Sequence, residues 1–345
     1  MIQNTPEVKQ LNRENIRADI QKRNSFTKAE VARSTGLSVA TSGYILNEML
    51  DNNEILEVAP DERSVGRPAK RYEYNKDFFH VIGMSLWERG DHGEIVYVIA
   101  DALGNTVKQD KAECSAINYE DIARIVEQET CADPLIRNIT VGIPGIAQNG
   151  IVESCDIKSL VGVDVAGQLR IQFRIAAEVK NKMYFIVIGA HDAIKPKSRD
   201  LVAVYFPSAG NGFVGSGMII NGKVVEGHSQ FAGQLEYIGT AYGFGRVEQE
   251  KVLNDRSAFC RYVAQTVMSV SAMVDPEVIL LMGNNMMSAD VNEVHDYCRQ
   301  FMGEHHIPRL MTDPDNHIDY YYARGLVRSA IVHLCFSVRL RDGVL

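Results

Sequence analysis

The spacing of apolar positions changes character partway along this chain. Val8, Leu11, Ile16 and Ile20 recur at near-helical intervals and predict an amphipathic helix over residues 7–23. Thr27-Lys28-Ala29-Glu30 reads as a capping box, with the threonine hydroxyl accepting from the backbone three residues on and the glutamate reaching back. It starts a short helix through Ser34. Gly36 supplies the turn, Leu37 packs inward, and Ser38 caps a third helix over roughly 39–52. Ala32, Leu37, Ile45, Leu46, Met49 and Leu50 make a small core. Strands at 55–58 and 70–74 follow, joined by a loop over 59–69.

From Phe79 alternation takes over. Strands are predicted at His80–Leu86 and Glu94–Asp101, with a turn at 102–105 and a third strand through Ala112. A helix over 118–130 leads to a buried strand, Ile139–Ile143, that ends in Pro144-Gly145. Met183–Ile188 reads as another strand. A second half repeats the alternation: strand Leu201–Phe206, a Gly-rich stretch over 210–217, strand Met218–Ile220, turn Asn221-Gly222, a further strand, a mainly helical stretch over 246–273 and strand Val278–Met282. Tyr320–Phe336 closes the chain as a helix. Strands and helices in two halves imply two α/β lobes around a cleft.

Charge separates the two regions. The 345 residues carry a net −8, yet residues 1–75 hold 11 basic and 11 acidic side chains, so the excess of acid lies in the body. Phosphates would be repelled there, and any nucleic-acid contact falls to the N-terminal part. Its third helix offers Ser38, Ala40, Thr41, Ser42 and Tyr44, small or polar groups suited to close approach in a major groove. The loop between the two strands carries Gly66-Arg67-Pro68 and then Lys70, where an extended, slim backbone lets Arg67 enter an A·T-rich minor groove. The competing reading is a winged helix that binds protein. No apolar run approaches a membrane span and no signal peptide is visible, so a cytoplasmic protein is expected. Six scattered cysteines without a C-x-x-C pair read as thiols rather than a disulfide frame or zinc site.

The chain resembles the ROK family of repressors, open reading frames and sugar kinases, and within it the repressors with an N-terminal winged helix. The residues that carry the likeness are Gly66-Arg67-Pro68-Ala69, Val141-Gly142-Ile143-Pro144-Gly145, and Gly215-Ser216-Gly217-Met218-Ile219-Ile220-Asn221-Gly222 with Gly227 and Ala232-Gly233. Asp275-Pro276-Glu277-Val278-Ile279 and Ala323-Arg324-Gly325 complete the set. The resemblance implies an α/β fold: an N-terminal winged helix-turn-helix (1–76), then a two-lobed actin-like ATPase (ribonuclease H-like) body. The first lobe takes 77–188 plus about 320–345 and the second 189–319. It also implies a double-stranded DNA operator, a homodimer or higher homo-oligomer, and a carbohydrate effector in the inter-lobe cleft.

Family kinases need a Gly-rich phosphate loop after the first body strand. Here Ser85 stands at its Asp, and Trp87, Glu88 and Arg89 stand at its Gly-Gly-Thr. Bulk and negative charge both oppose phosphate there, so neither ATP nor catalysis is expected. By the resemblance the sugar site takes Asp156, the pair His191-Asp192 in place of Asn-Asp, and Gln234 and Tyr237 in place of Glu and His. Carboxylates and amides suit vicinal hydroxyls because each meets more than one of them. The family's zinc cysteines have no counterpart between Gly239 and Arg246, and Tyr237 replaces its histidine, so no zinc is expected. The bland alternative is that these side chains fill a closed cleft in a dimerisation scaffold.

Overall fold

The computed structural model describes residues 6–59, 69–89, 92–195, 197–207, 214–241, 251–252, 255–284, 286–313 and 315–337. Three helices open it: α1 (Pro6–Ile20), α2 (Lys28–Thr35) and α3 (Val39–Asp51). The capping box forms as the spacing predicts: Glu30 N donates to the Thr27 hydroxyl at 3.2 Å and Thr27 N to the Glu30 carboxylate at 2.7 Å. Gly36 takes φ +70°, a left-handed turn that a Cβ would strain. Strands β1 (Ile55–Val58) and β2 (Arg71–Tyr74) pair antiparallel, and Phe26 adds a bridge to Tyr72. This is a winged helix-turn-helix.

A short 3₁₀ turn leads into the body. Strands β3 (His80–Arg89), β4 (His92–Asp101) and β5 (Thr106–Cys114) form an antiparallel meander. Helix α4 (Tyr119–Ala132) crosses to β6 (Ile136–Ile143), which lies parallel to β3. The hairpin β7 (Gly145–Gln148) and β8 (Ile151–Cys155) and helix α5 (Val165–Phe173) precede β9 (Ala176–Asn181), and helix α6 (Lys182–Ala193) follows it. The sheet order is β5-β4-β3-β6-β9.

The second lobe repeats this plan. Strands β10 (Leu201–Tyr205), β11 (Gly215–Ile220) and β12 (Lys223–Val224) form its meander, followed by α7 (Glu236–Ala241) and α8 (Arg256–Val274). Then come β13 (Val278–Met282), α9 (Asp290–Arg299), β14 (Arg309–Thr312) and α10 (Ile318–Ser337). Its order, β12-β11-β10-β13-β14, has the same pattern of antiparallel and parallel neighbours. Two copies of one ribonuclease H-like sheet make the actin-like body.

The lobes are cross-braced. Helix α6 follows the first sheet but packs on β10 and β11, whereas α10 follows the second sheet but packs on β3, β4 and β6. The two helices press together at Gly189 and Gly325, where an added Cβ would strike the backbone of the opposite helix. Residues Met183–Ile188, expected as a strand, are therefore helical. The run is apolar on all sides because α6 lies between the second sheet and α10, and a continuous apolar stretch carries no period to separate helix from strand. The lobe boundary expected after residue 188 falls inside this helix.

The head is not a separate bead. One apolar cluster runs from Ile16, Ile20 and Met49 through Phe79, Val81 and Val98 to Val327, Ala330 and Ile331 of α10. Among the described residues no helix is long and apolar enough to cross a membrane.

Candidate nucleic-acid interface and inter-lobe cleft

Helix α3 has a buried face of Ile45, Leu46 and Met49. Ser42 lies on that face, one turn before Ile45 and Leu46. It is fully buried and its hydroxyl has no partner. The expectation that Ser42 belongs to the outward face is thus corrected by the helical period. Ser38 is exposed, and its hydroxyl caps the helix by accepting from Thr41 N at 3.0 Å. Ala40 and Tyr44 are exposed and Thr41 is half-buried. Lys70 is exposed and paired with Glu57 at 2.9 Å. Gly66, Arg67 and Pro68 lie outside the described residues.

The exposed stripe continues to Asn47, three residues beyond Tyr44, and two lysines border it. Lys9 donates to Glu48 at 2.7 Å and to the Tyr44 hydroxyl at 3.4 Å. Lys28, the first residue of α2, donates to the Asn47 side-chain amide oxygen, Oδ1. Val39, Lys9, Lys28 and Asn47 were not among the expected DNA contacts. Asn47 was legible, since 40, 44 and 47 share one helix face. The lysines come from other helices, and no local pattern announces them.

Beneath this surface Glu54 is wholly buried and held by Arg17 at 2.5 Å and Arg13 at 2.9 Å, with the Tyr74 hydroxyl at 3.5 Å. Burial pushes its carboxyl up, but the two guanidiniums outweigh it and hold the carboxyl below the usual range.

The cleft lies where β6 and β9 end and β11 begins. Asn181 caps α6, with its oxygen accepting from Met183 N at 2.7 Å while its amide group donates to Gly145 O at 2.7 Å. It thereby ties the strand-to-helix junction to the loop after Pro144. From the second lobe, Gly233 O accepts from Ser216 N at 2.8 Å, and this fixes the segment that carries Gln234, Glu236 and Tyr237. Burial pushes the Glu236 carboxyl up, and the charge of Asp156 on the first lobe pushes it further. Asp156 is exposed, Gln234 half-buried, and Tyr237 stacks obliquely on Phe231 with centroids 5.0 Å apart. Lys180 pairs with Glu226 across the lobes. The space left among Ala147, Lys180, Asn181, Tyr184 and Gln230 is about 30 Å³, room for one water. The Gln230 side-chain oxygen facing this region has no partner.

His191 and Asp192 are not part of this site. They sit at the far end of α6, ten residues or about 15 Å from Asn181 at the helical rise. The His191 ring contacts Ser198 O at 2.8 Å, and Asp192 pairs with Arg324 at 2.5 Å and Lys197 at 3.3 Å. The junction residues beside the Pro-Gly loop are Asn181-Lys182 instead. Misreading α6 as a strand concealed this junction. Glu236, Glu226 and Phe231 were likewise missed.

On the other side of the cleft, Ser85–Arg89 continue the β3–β4 ladder as far as Arg89↔His92, so they form a strand and not a loop of converging amides. The Lys182 ammonium lies 5.3 Å from the centroids of both Trp87 and Tyr205, and so links the two lobes. Tyr322 packs edge-on to Trp87 and against Gly142, where no Cβ would fit. These residues do not fit a nucleotide's phosphates: a strand offers no cradle, and Trp87 and Glu88 stand where glycines would be needed. Among the described residues one cluster has metal-ligand spacing, His92, Glu94 and Glu113, but Lys111 already donates to both glutamates at 2.9 Å.

No model of a known protein family matches the chain. It is similar to a xylose repressor of Caldicellulosiruptor bescii, 21% identical over 238 residues, which are 66% of this chain and 58% of that protein. The chain thus spans under three-fifths of that relative's length. Among solved structures, a ROK family transcriptional regulator described as a homolog of the E. coli MLC protein superposes with a TM-score of 0.73. That match is 16% identical and covers 97% of this chain and all of that one. A putative N-acetylmannosamine kinase from Listeria monocytogenes superposes with a TM-score of 0.56 at 13% identity, over 74% of this chain and 99% of that one.

Proposed function

From a chain with the fold of the ROK transcriptional regulators and a xylose repressor among its relatives, we propose a DNA-binding transcriptional repressor that senses a carbohydrate and performs no catalysis. The observation that carries this reading is the shared core of head and body: α10 gives Val327, Ala330 and Ile331 to the apolar cluster that also holds Ile16, Ile20 and Met49 of the head, and near its other end it reaches the cleft through Tyr322. A homodimer presents two α3 helices to the halves of a pseudo-palindromic operator. A sugar bound by Asp156, Gln234 and Glu236, with Phe231 and Tyr237 as a ring platform, favours one lobe arrangement and so one spacing of the heads.

The kinase alternative draws on the Listeria match. Against it stand the β3 ladder, Trp87, and Lys182 at the strand-to-helix junction, since an ammonium cannot act as a general base toward a sugar hydroxyl. ATP hydrolysis stimulated by any hexose or pentose overturns the non-catalytic reading. The direct test is fluorescence anisotropy on DNA upstream of the chain's own gene. Salt-sensitive, sequence-specific binding lost in Arg67→Ala is expected, and its absence refutes the proposal. A thermal-shift screen of sugars then separates a sugar sensor from a regulator governed by a protein partner, because a ligand of the native state raises its stability.

A further inference from the structure

We propose that Lys28 and Asn47 act as one unit that reads a guanine in each operator half-site. The inference deepens the DNA-binding reading and rests on it. Asn47 lies on the exposed stripe of α3, in line with Ala40 and Tyr44. The Lys28 ammonium donates to the Asn47 side-chain oxygen and is steadied 5.3 Å above the Tyr72 ring. Tyr72 is buried in the core of the head, so this anchor is rigid.

The pairing fixes the direction of the amide. An ammonium can only donate, so the Asn47 oxygen turns toward it and the NH₂ group turns away. The unit then offers donors only: the amide protons of Asn47 and the remaining protons of Lys28. On the major-groove edges, guanine alone places two acceptors, N7 and O6, side by side. Adenine sets an amino donor beside N7, cytosine presents an amino donor, and thymine sets a methyl beside its one acceptor. An unrestrained asparagine reads adenine, since it accepts from N6 and donates to N7. Lys28 occupies the accepting side and so turns the preference to guanine.

The test is selection of binding sites from a randomised duplex pool by the full chain and two variants, Lys28→Met and Asn47→Ala. Wild type is expected to fix a guanine at one position of each half-site. Lys28→Met keeps the stem over Tyr72 but frees the amide, and adenine should replace guanine at that position alone. Asn47→Ala should reduce discrimination there by roughly 5- to 150-fold and leave the other positions unchanged. Circular dichroism of each variant checks that the head stays folded. An unchanged motif in both variants overturns the assignment. So does a Lys28→Met variant that binds all sequences more weakly with a shallower salt dependence, the mark of a phosphate contact. A wild-type chain that enriches no motif overturns the DNA-binding reading itself, and this inference with it.

Discussion

The buried ion cluster at Glu54 sets the stability of the head, and Glu54→Gln measures it. The carboxylate has no exposure and is flanked by Arg17 at 2.5 Å and Arg13 at 2.9 Å. Glutamine keeps the shape but removes the charge, and leaves the mostly buried Arg17 guanidinium uncompensated. Breaking a buried pair from one side costs about 3–5 kcal/mol. If the head opens as a unit, hydrogen exchange of amides in α1 and α3 should quicken by about two to three and a half orders of magnitude at pH 7, while β13 in the second lobe stays protected. The pH dependence follows from the lowered carboxyl. Because its folded-state value lies below the unfolded value of about 4.3, the stabilisation is complete above that value and is lost as pH falls through the folded value. The gap between wild type and variant should therefore close in acid. A change under tenfold at pH 7, or a gap that stays constant down to pH 3, refutes the reasoning.

Three further substitutions probe other parts of the molecule. Ser42→Ala removes a buried hydroxyl that has no partner, and should stabilise the head by up to about 1 kcal/mol in denaturant titrations without weakening operator binding; a loss of DNA affinity would put Ser42 on the outward face after all. Gly325→Ala forces a Cβ into the Phe185 carbonyl on α6, and should lower stability by about 1–3 kcal/mol or more, seen as a drop in Tm; an unchanged Tm means the helices do not touch there. Asp156→Asn should lower the raised Glu236 carboxyl part of the way, because burial, the larger cause, remains. Carboxyl-selective NMR titration reads this, and an unmoved Glu236 means the two acids do not face each other across the cleft.

The head was legible because each of its elements has a local signal. The capping box at Thr27, the left-handed Gly36 and the Ser38 cap are written within a few residues of where they act, and all three form. Ser42 shows where composition misleads. A small polar residue was assigned to the surface by type, although the helical period shared with Ile45, Leu46 and Met49 places it inside. In the body, the strands of the two meanders were readable from alternation, but α6 was not. A helix enclosed between a sheet and another helix is apolar all round, so its sequence resembles a buried strand. The site carried a second error: by the resemblance His191-Asp192 stood for the family's Asn-Asp pair, but the helix places them about 15 Å along its axis from Asn181 and the cleft. Glu226 and Lys180 were invisible for a different reason, since their pairing joins residues from two lobes and no local spacing encodes it.

The cross-bracing of α6 and α10 limits how a signal could travel from cleft to head. Sliding one helix along the other would bring residues that carry a Cβ to the close contacts that only Gly189 and Gly325 allow, so the pair moves as a block. Tyr322, at the cleft, and Ala330, in the apolar cluster that joins body and head, are eight residues apart on α10, about 12 Å along one rigid rod. No relay of side chains is then needed. On the proposed reading, a sugar that favours a new lobe angle would rotate α10, and the head would turn with it because they share one apolar cluster. The Trp87–Lys182–Tyr205 stack bears on the same angle, since it ties the first lobe to the second without any ligand. Each cation–π contact of this kind contributes on the order of 0.5–2 kcal/mol. The ligand-free chain is thereby biased toward the lobe arrangement seen here, and on the proposed reading an effector must supply at least that difference in affinity between the two states to change it.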